Sequence, residues 1–341
     1  MTETQMAREV AEIPQAAARF LAKARPQVTA AAMALRRMDP HLIVTVARGS
    51  SDHAATYLKY AVELMAGIPV ASVGPSVASI YRRPLRLAGA ACIGISQSGQ
   101  SPDIVEMMRA AGAGGALTLA LTNQADSPMA RAVAHALPLM AGPERAVAAT
   151  KTFTGSVLAG LALVAEWQED EALRSALASL PEAMAQALRL DWSALEDRLA
   201  PAQSLYVLGR GPAFAIACEA ALKGKETCGL HAEAYSAAEV LHGPAAIVRA
   251  HFPVLALAVE DAALAQVQAT AERLAAQGAD VFVTGTQVPG AVTLPMVGGL
   301  HPMVAPLVLA AAWYRFVEGL SRRRGHDPDT PPHLRKVTET M

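Results

Sequence analysis

With 341 residues, 52% of them hydrophobic and 17% charged, the chain can bury more than one core and lacks the composition of a disordered polymer. Its net charge of −1 excludes the electrostatic footprint of a nucleic-acid-binding protein. Only 4% of the residues are aromatic, so Ala, Leu and Val must fill the interior.

Cys92, Cys218 and Cys228 are odd in number and form no CxxC pair, which points to a reducing compartment and to three buried small hydrophobes. The opening residues, MTETQMAREVAEIPQ, hold neither a basic nor an apolar signal region, and the longest apolar stretch, residues 303–313, is interrupted by Pro306. The expectation is a cytoplasmic protein with no membrane contact.

A helical lead-in is expected over residues 1–40. Residues 41–47 are short, β-branched and closed by Gly49, and read as a buried strand. A helix follows over 52–65. Apolar runs at 91–96 and 116–122 then alternate with helical patterns at 102–113 and 127–134, the βαβ rhythm of a parallel sheet. A long helical stretch over 149–199, broken at Pro181, reads as a connector. Strands at 204–209, 253–259 and 280–284 alternate in turn with helices at 212–228, 261–277 and 302–319.

The second half repeats the first. Arg48-Gly49 and Arg210-Gly211 each end a first strand, an offset of 162, and the same offset carries the strands at 91 and 116 onto positions 253 and 278. Agreement at three points argues for tandem copies of one doubly wound α/β domain. The boundaries expected are 41–168 for the first domain, 169–199 for a helical connector, 200–325 for the second domain and 326–341 for a tail.

The sharpest local motif is Ile95-Ser96-Gln97-Ser98-Gly99-Gln100-Ser101-Pro102, between a buried strand and a helix. Exposed helix N–H groups, the positive end of the helix dipole and three hydroxyls can converge there on a phosphate. Ser101 acting as a plain helix cap, with the other serines as turn residues, accounts for the same spacing. Gly49-Ser50-Ser51 adds a second hydroxyl-rich turn at the same sheet edge, where open α/β sheets bind ligands.

A second cluster lies on the helix at 212–228. Glu219, Lys223 and Glu226 stand at i, i+4 and i+7 and share one face. A solvated charged face would have the same spacing. The run continues through His231, Glu233, Tyr235, Glu239 and His242, crowding proton-transfer groups into a chain otherwise poor in charge. His53, by contrast, reads as structural.

Segments 49–51, 95–103, 144–152, 209–244 and the tail together resemble the double sugar-isomerase-domain proteins. These comprise the isomerase half of glucosamine-6-phosphate synthase and stand-alone relatives that include amino sugar phosphate deaminases. The S-Q-S-G-x-S turn and the H-A-E-A-Y-x-x-x-E-x-x-H-G-P run carry that resemblance. It implies that Ser51, Ser96, Gln97, Ser98 and Ser101 hold a sugar phosphate, with Ser50 and Glu219 beside them and Val147 lining the sugar. It implies further that Glu226 moves a proton between C1 and C2, that His242 opens and closes the ring, that Lys223 belongs to the catalytic set, and that Lys336 reaches in from the tail. A homodimer follows from the same resemblance, because the counterpart of His242 is donated across a subunit interface.

The chain departs from the synthase in two places. It begins Met1-Thr2-Glu3 with no cysteine before position 92, so it is not expected to draw ammonia from glutamine. Its tail, Lys336-Val337-Thr338, is one residue shorter than the synthase's K-S-V-T. No metal or organic cofactor is expected, since patterns such as HExxH are missing from the sequence. The reading is an enzyme that isomerises and deaminates an amino sugar phosphate, with glucosamine 6-phosphate favoured. A deglycase or isomerase for another phosphosugar fits the same grip, and a non-catalytic phosphosugar sensor is the rival of another class.

Overall fold

The computed structural model describes residues 3–334 and 336. The chain divides into two compact units, each built on one parallel sheet.

The first sheet comprises β1 (Leu42–Val46), β2 (Val70–Ser72), β3 (Ala90–Ile95), β4 (Leu117–Thr122) and β5 (His135–Pro138), in the order β2-β1-β3-β4-β5. Its central strand β3, Ala-Ala-Cys-Ile-Gly-Ile, is buried at all six positions, as a parallel strand covered on both faces must be. The helix Pro102–Ala113 packs against β3 through Ile104, Met107 and Met108. Gly94 permits that approach, since a Cβ there would stand 2.8 Å from the Met108 sulfur.

The second sheet comprises β6 (Ser204–Gly209), β7 (His231–Ser236), β8 (Pro253–Ala256), β9 (Asp280–Thr284) and β10 (Ala291–Leu294), in the order β10-β9-β8-β6-β7. Written from its other edge this is the same order as in the first sheet, with every pairing parallel. The chain is therefore a tandem pair of doubly wound α/β domains.

The units are discontinuous in sequence. The first-sheet unit takes Gln15–Glu144, Lys151–Ala178 and Lys336; the second-sheet unit takes the described residues up to Pro14, then Arg145–Thr150 and Ser179–Leu334. The N-terminal helix Gln5–Ala11 is pinned inside the second-sheet unit. Asp329 accepts from the backbone N–H groups of Gln5 and Met6 at 2.6 and 2.7 Å, and the Thr4 hydroxyl donates to buried Glu318 at 2.8 Å.

Several expectations are corrected. Pro181 does not break a helix: it lies inside Glu171–Ala187, and the breaks fall between Trp167 and Glu171 and between Ala187 and Ser193. Leu173, Leu177, Leu180, Met184 and Ala187 are all buried and run at helical spacing through the proline, so packing outweighs the lost backbone donor. The helix expected over 52–65 starts at Ser50, and the one expected over 302–319 is Ala305–Arg323. Residues 127–134 hold only the short helix Pro128–Arg131, and residues 257–259 lie beyond the end of β8. Cys92 and Cys228 are buried, with both thiol pKa values pushed up by burial to about 12 and about 11, but Cys218 is only half-buried.

Candidate functional site

In the first-sheet unit, the crossover from β2 back across β1 to β3 creates a topological switch point, where ligands of open sheets bind. The turns after β1 and β3 both emerge there. Gly49, at φ +56°, precedes Ser50 and Ser51, the first residues of the helix Ser50–Met65. After β3, the Ser96 hydroxyl oxygen accepts the Gly99 N–H at 3.1 Å, and the Ser98 hydroxyl accepts the Gln100 N–H at 3.3 Å. The Gln97 carbonyl accepts from the Asn123 N–H at 3.1 Å. Gly99 is required by this turn: its φ is +60°, and a Cβ would stand 2.2 Å from the Ser127 hydroxyl.

Ser101 sits at the N-cap position of Pro102–Ala113, yet its side chain makes no capping hydrogen bond. Its hydroxyl is therefore not committed to the role that a plain cap would give it. Asp103, buried in the first turn, would repel an incoming anion, but Arg48 from the end of β1 forms an ion pair with it. Sequence reasoning assigned Arg48 no role, because its partner lies on another element.

Lys336 belongs to the same unit. Its Nζ lies 3.0 Å from Oε2 of Glu144, a buried carboxylate that also accepts from the Thr152 backbone N–H at 3.0 Å and the Thr152 hydroxyl at 2.6 Å. Glu144 was missed in the sequence. Its only signal there was its place at the head of the 144–152 segment.

The second-sheet unit carries the remaining candidates. On the helix Pro212–Cys228, Lys223 Nζ lies 3.3 Å from Glu219 Oε1 and 2.5 Å from Glu226 Oε2. The Glu219 and Lys223 side chains are each 1% exposed, and the Tyr314 hydroxyl donates to Glu219 at 2.8 Å. A solvated charged face is thus ruled out for these two. Glu226, at 22% exposure, is the member of the group that reaches solvent. Burial alone would lower the Lys223 pKa, but the two carboxylates, Glu219 foremost, outweigh it and raise the value, so the ammonium stays charged at neutral pH.

His242 ends the short 3-10 turn Glu239–His242, is exposed, and makes no side-chain hydrogen bond among the described residues. Gly243 follows at φ +144°, a conformation closed to other residues, and turns the chain into Pro244–Ile247. Val147 is half-buried in a segment anchored by buried Glu9, whose carboxylate accepts the N–H groups of Arg145 and Ala146. Of the other histidines and acids in the run, Glu233 accepts from the Tyr235 hydroxyl at 2.7 Å, while His231 is exposed on β7. The structure therefore brings Glu219, Lys223 and Glu226 into contact, and gathers Ser50, Ser51, Ser96, Gln97, Ser98 and Ser101 onto two turns at one switch point. Among the described residues no three His, Cys, Asp or Glu side chains are grouped so as to hold a metal ion, and no helix is long and apolar enough to cross a membrane.

These features define a tandem doubly wound α/β protein with a hydroxyl-rich turn at the switch point of its first sheet and a buried Glu-Lys-Glu group in its second unit. The chain belongs to the SIS (sugar isomerase) domain family, whose sequence model matches residues 38–166 and 198–289. It is homologous to the isomerase half of glutamine–fructose-6-phosphate aminotransferase. With the Zymomonas mobilis enzyme it is 33% identical over 316 residues, covering 86% of this chain and 51% of the relative. The chain thus spans about half the length of the curated relatives it matches. Among solved structures, a protein from Silicibacter pomeroyi provisionally named a phosphosugar isomerase is 52% identical, with a TM-score of 0.93 over 96% of this chain and 100% of that one. The C-terminal domain of glucosamine-fructose-6-phosphate aminotransferase from Francisella tularensis has the same fold, with a TM-score of 0.86 at 24% identity over 96% of this chain and 99% of that one.

Proposed function

We propose that this chain is a cytoplasmic phosphosugar isomerase that converts glucosamine 6-phosphate and water to fructose 6-phosphate and ammonia. The observation that carries the reading is Lys223, buried between Glu219 and Glu226 with only Glu226 open to solvent. Glu226 is the one carboxylate of the group in reach of solvent, its position fixed by the Lys223 ammonium, and a carboxylate so placed is the group that can take a proton from carbon. The membership in a sugar-isomerase family and the 52% identical relative named for phosphosugar isomerisation support the same class.

The residues divide the work as follows. Ser51, Ser96, Gln97, Ser98 and Ser101, with Ser50, hold the phosphate through hydroxyl and backbone N–H groups, and Val147 lines the substrate, while Glu219, expected beside it, is buried and acts from beneath by holding Lys223. His242 moves the proton that opens the ring to the free aldehyde. Glu226 takes the proton from C2 and returns it to C1 while the C2 amine gives up a proton and the C1 oxygen gains one, so that the C1 aldehyde becomes an alcohol and C2 becomes an imine. Water then adds at C2 and ammonia departs, leaving the ketone. Lys223 holds the Glu226 carboxylate in position, and Lys336 brings an ammonium from the tail. The protein acts as a homodimer, in which His242 serves the partner, and sedimentation of the purified chain tests that state.

The phosphate turn recognises the phosphate rather than the sugar, so the choice of substrate is the point to test. Ammonia and ketose phosphate are measured from a panel of amino sugar phosphates. Turnover confined to a fructosamine phosphate or a galactosamine phosphate would overturn the glucosamine assignment, and binding without turnover of any member would make the protein a sensor.

A further inference from the structure

A cavity of about 950 Å³ opens in the first-sheet unit on the far side of the helix Pro102–Ala113 from β3, within the size range of small-molecule sites. Its rim carries Arg82, Arg83 and Arg109, and its walls include Leu85, Val105 and Ala113. Arg109 lies 3.8 Å from Glu106, whereas Arg82 and Arg83 form no ion pair among the described residues. From position 64 to position 102 the sequence contains no Asp or Glu at all, so nothing on this loop offsets their charge.

The backbone adds an independent sign. Arg82 has φ +51°, the left-handed region where glycine is the usual occupant, and the turn around it is closed by the Arg83 N–H donating to the Val77 carbonyl at 3.0 Å. An arginine stands here where its backbone is disfavoured and a glycine would relax the chain. Of the six non-glycine residues with positive φ among the described residues, Arg82 alone lines this cavity, and strain at such a mouth fits a side chain placed there for its chemistry.

We propose that this cavity is a second ligand site, taking an organic phosphate or diphosphate with a planar or apolar body. Paired guanidinium forks match phosphate oxygens in bidentate geometry, and a guanidinium plane also stacks on flat rings. The volume suits a ligand of nucleotide size better than a sugar phosphate alone. Gln100 and Pro102 line the cavity and belong to the Ser96–Pro102 turn, so an occupant is in position to alter the affinity of that turn for its own ligand.

The test uses calorimetric titration of the full chain with ADP, inorganic pyrophosphate and adenosine as probes. ADP is expected to bind at least about tenfold more tightly than either fragment, since both halves of the cavity contribute. Arg82→Gly removes the guanidinium while relaxing the turn, so it is expected to weaken ADP at least about tenfold without lowering the melting temperature. Arg83→Ala is expected to weaken ADP and pyrophosphate alike. No ADP binding at millimolar concentration, or unchanged ADP affinity in the Arg82→Gly, Arg83→Ala double variant, would overturn the proposal. Loss of ADP binding in Ser96→Ala, Ser98→Ala with none in the arginine variants would also overturn it, by moving the anion to the serine turn and leaving the proposed reaction untouched.

Discussion

Lys336 places its Nζ 3.0 Å from Oε2 of Glu144, and the Glu144 side chain is wholly buried. The two are 192 residues apart in the chain, and a side chain on the tail is fixed by a carboxylate at the head of the helix Lys151–Trp167. Glu144→Gln keeps the contacts to Thr152 in shape but removes the charge that holds the ammonium. A charge-assisted hydrogen bond is worth about 1.5–3 kcal/mol, so turnover is expected to fall roughly ten- to a hundredfold with phosphosugar affinity little changed. Glu144→Asp should recover part of the loss. Equal turnover in wild type and Glu144→Gln would show that the contact has no part in the reaction.

Lys223 supports a stability prediction with a defined pH course. Lys223→Met leaves Glu219 buried without its cation, which is expected to cost about 3–5 kcal/mol in urea unfolding at neutral pH. The folded-state pKa of Lys223 is raised, so its stabilising contribution is complete below the unfolded lysine value of about 10.4 and is lost as pH rises through the folded value. The stability gap between wild type and variant should therefore be steady from pH 7 to 9 and narrow only at strongly alkaline pH. A gap that closed near pH 8 would contradict the burial of a charged lysine.

Glu226 is expected to act on turnover more than on binding. Glu226→Gln preserves shape and cannot accept a proton, so kcat should drop roughly 10²–10⁴-fold with KM little altered. Exchange of the substrate's C2 hydrogen with deuterated water, followed by NMR, reports the step directly. Exchange at the wild-type rate in this variant would transfer the role to Lys223 or His242.

Ser101 separates a cap from a ligand contact. A serine that caps a helix contributes about 1 kcal/mol to stability, but the Ser101 side chain makes no capping bond. Ser101→Ala is thus expected to leave the melting temperature within a degree or so while weakening phosphosugar binding by about 1–3 kcal/mol. A marked fall in melting temperature with unchanged affinity would return Ser101 to the capping role.

The sequence revealed the interior strands more readily than the edges. β1, β3, β4, β6, β8 and β9 carry the buried apolar runs that their patterns announced. β2, β5, β7 and β10 lie at or towards the sheet margins, are short or half-exposed, and lack such runs. In the candidate site, helical spacing alone put Glu219, Lys223 and Glu226 on one face. Their burial could not be read that way, because it depends on Tyr314, 95 residues downstream of Glu219. Arg48 and Glu144 escaped notice for the same reason: each acquires its meaning from a partner on a distant element.

The N-terminal helix Gln5–Ala11 also bears on how the chain is made. Its capping partners, Glu318 and Asp329, lie 314 and 324 residues further along. At roughly 5–20 residues per second of translation, the helix must wait on the order of tens of seconds before either partner leaves the ribosome. During that interval Met6 and Val10, both buried in the finished protein, have no core to enter. The first-sheet unit meets no such delay for its strands, since β1 to β5 are complete once Pro138 has emerged. Synthesis therefore runs ahead on one unit while the helix Gln5–Ala11 stays open to chaperones, and a ribosome stalled anywhere before Glu318 holds a chain in which that helix cannot yet dock.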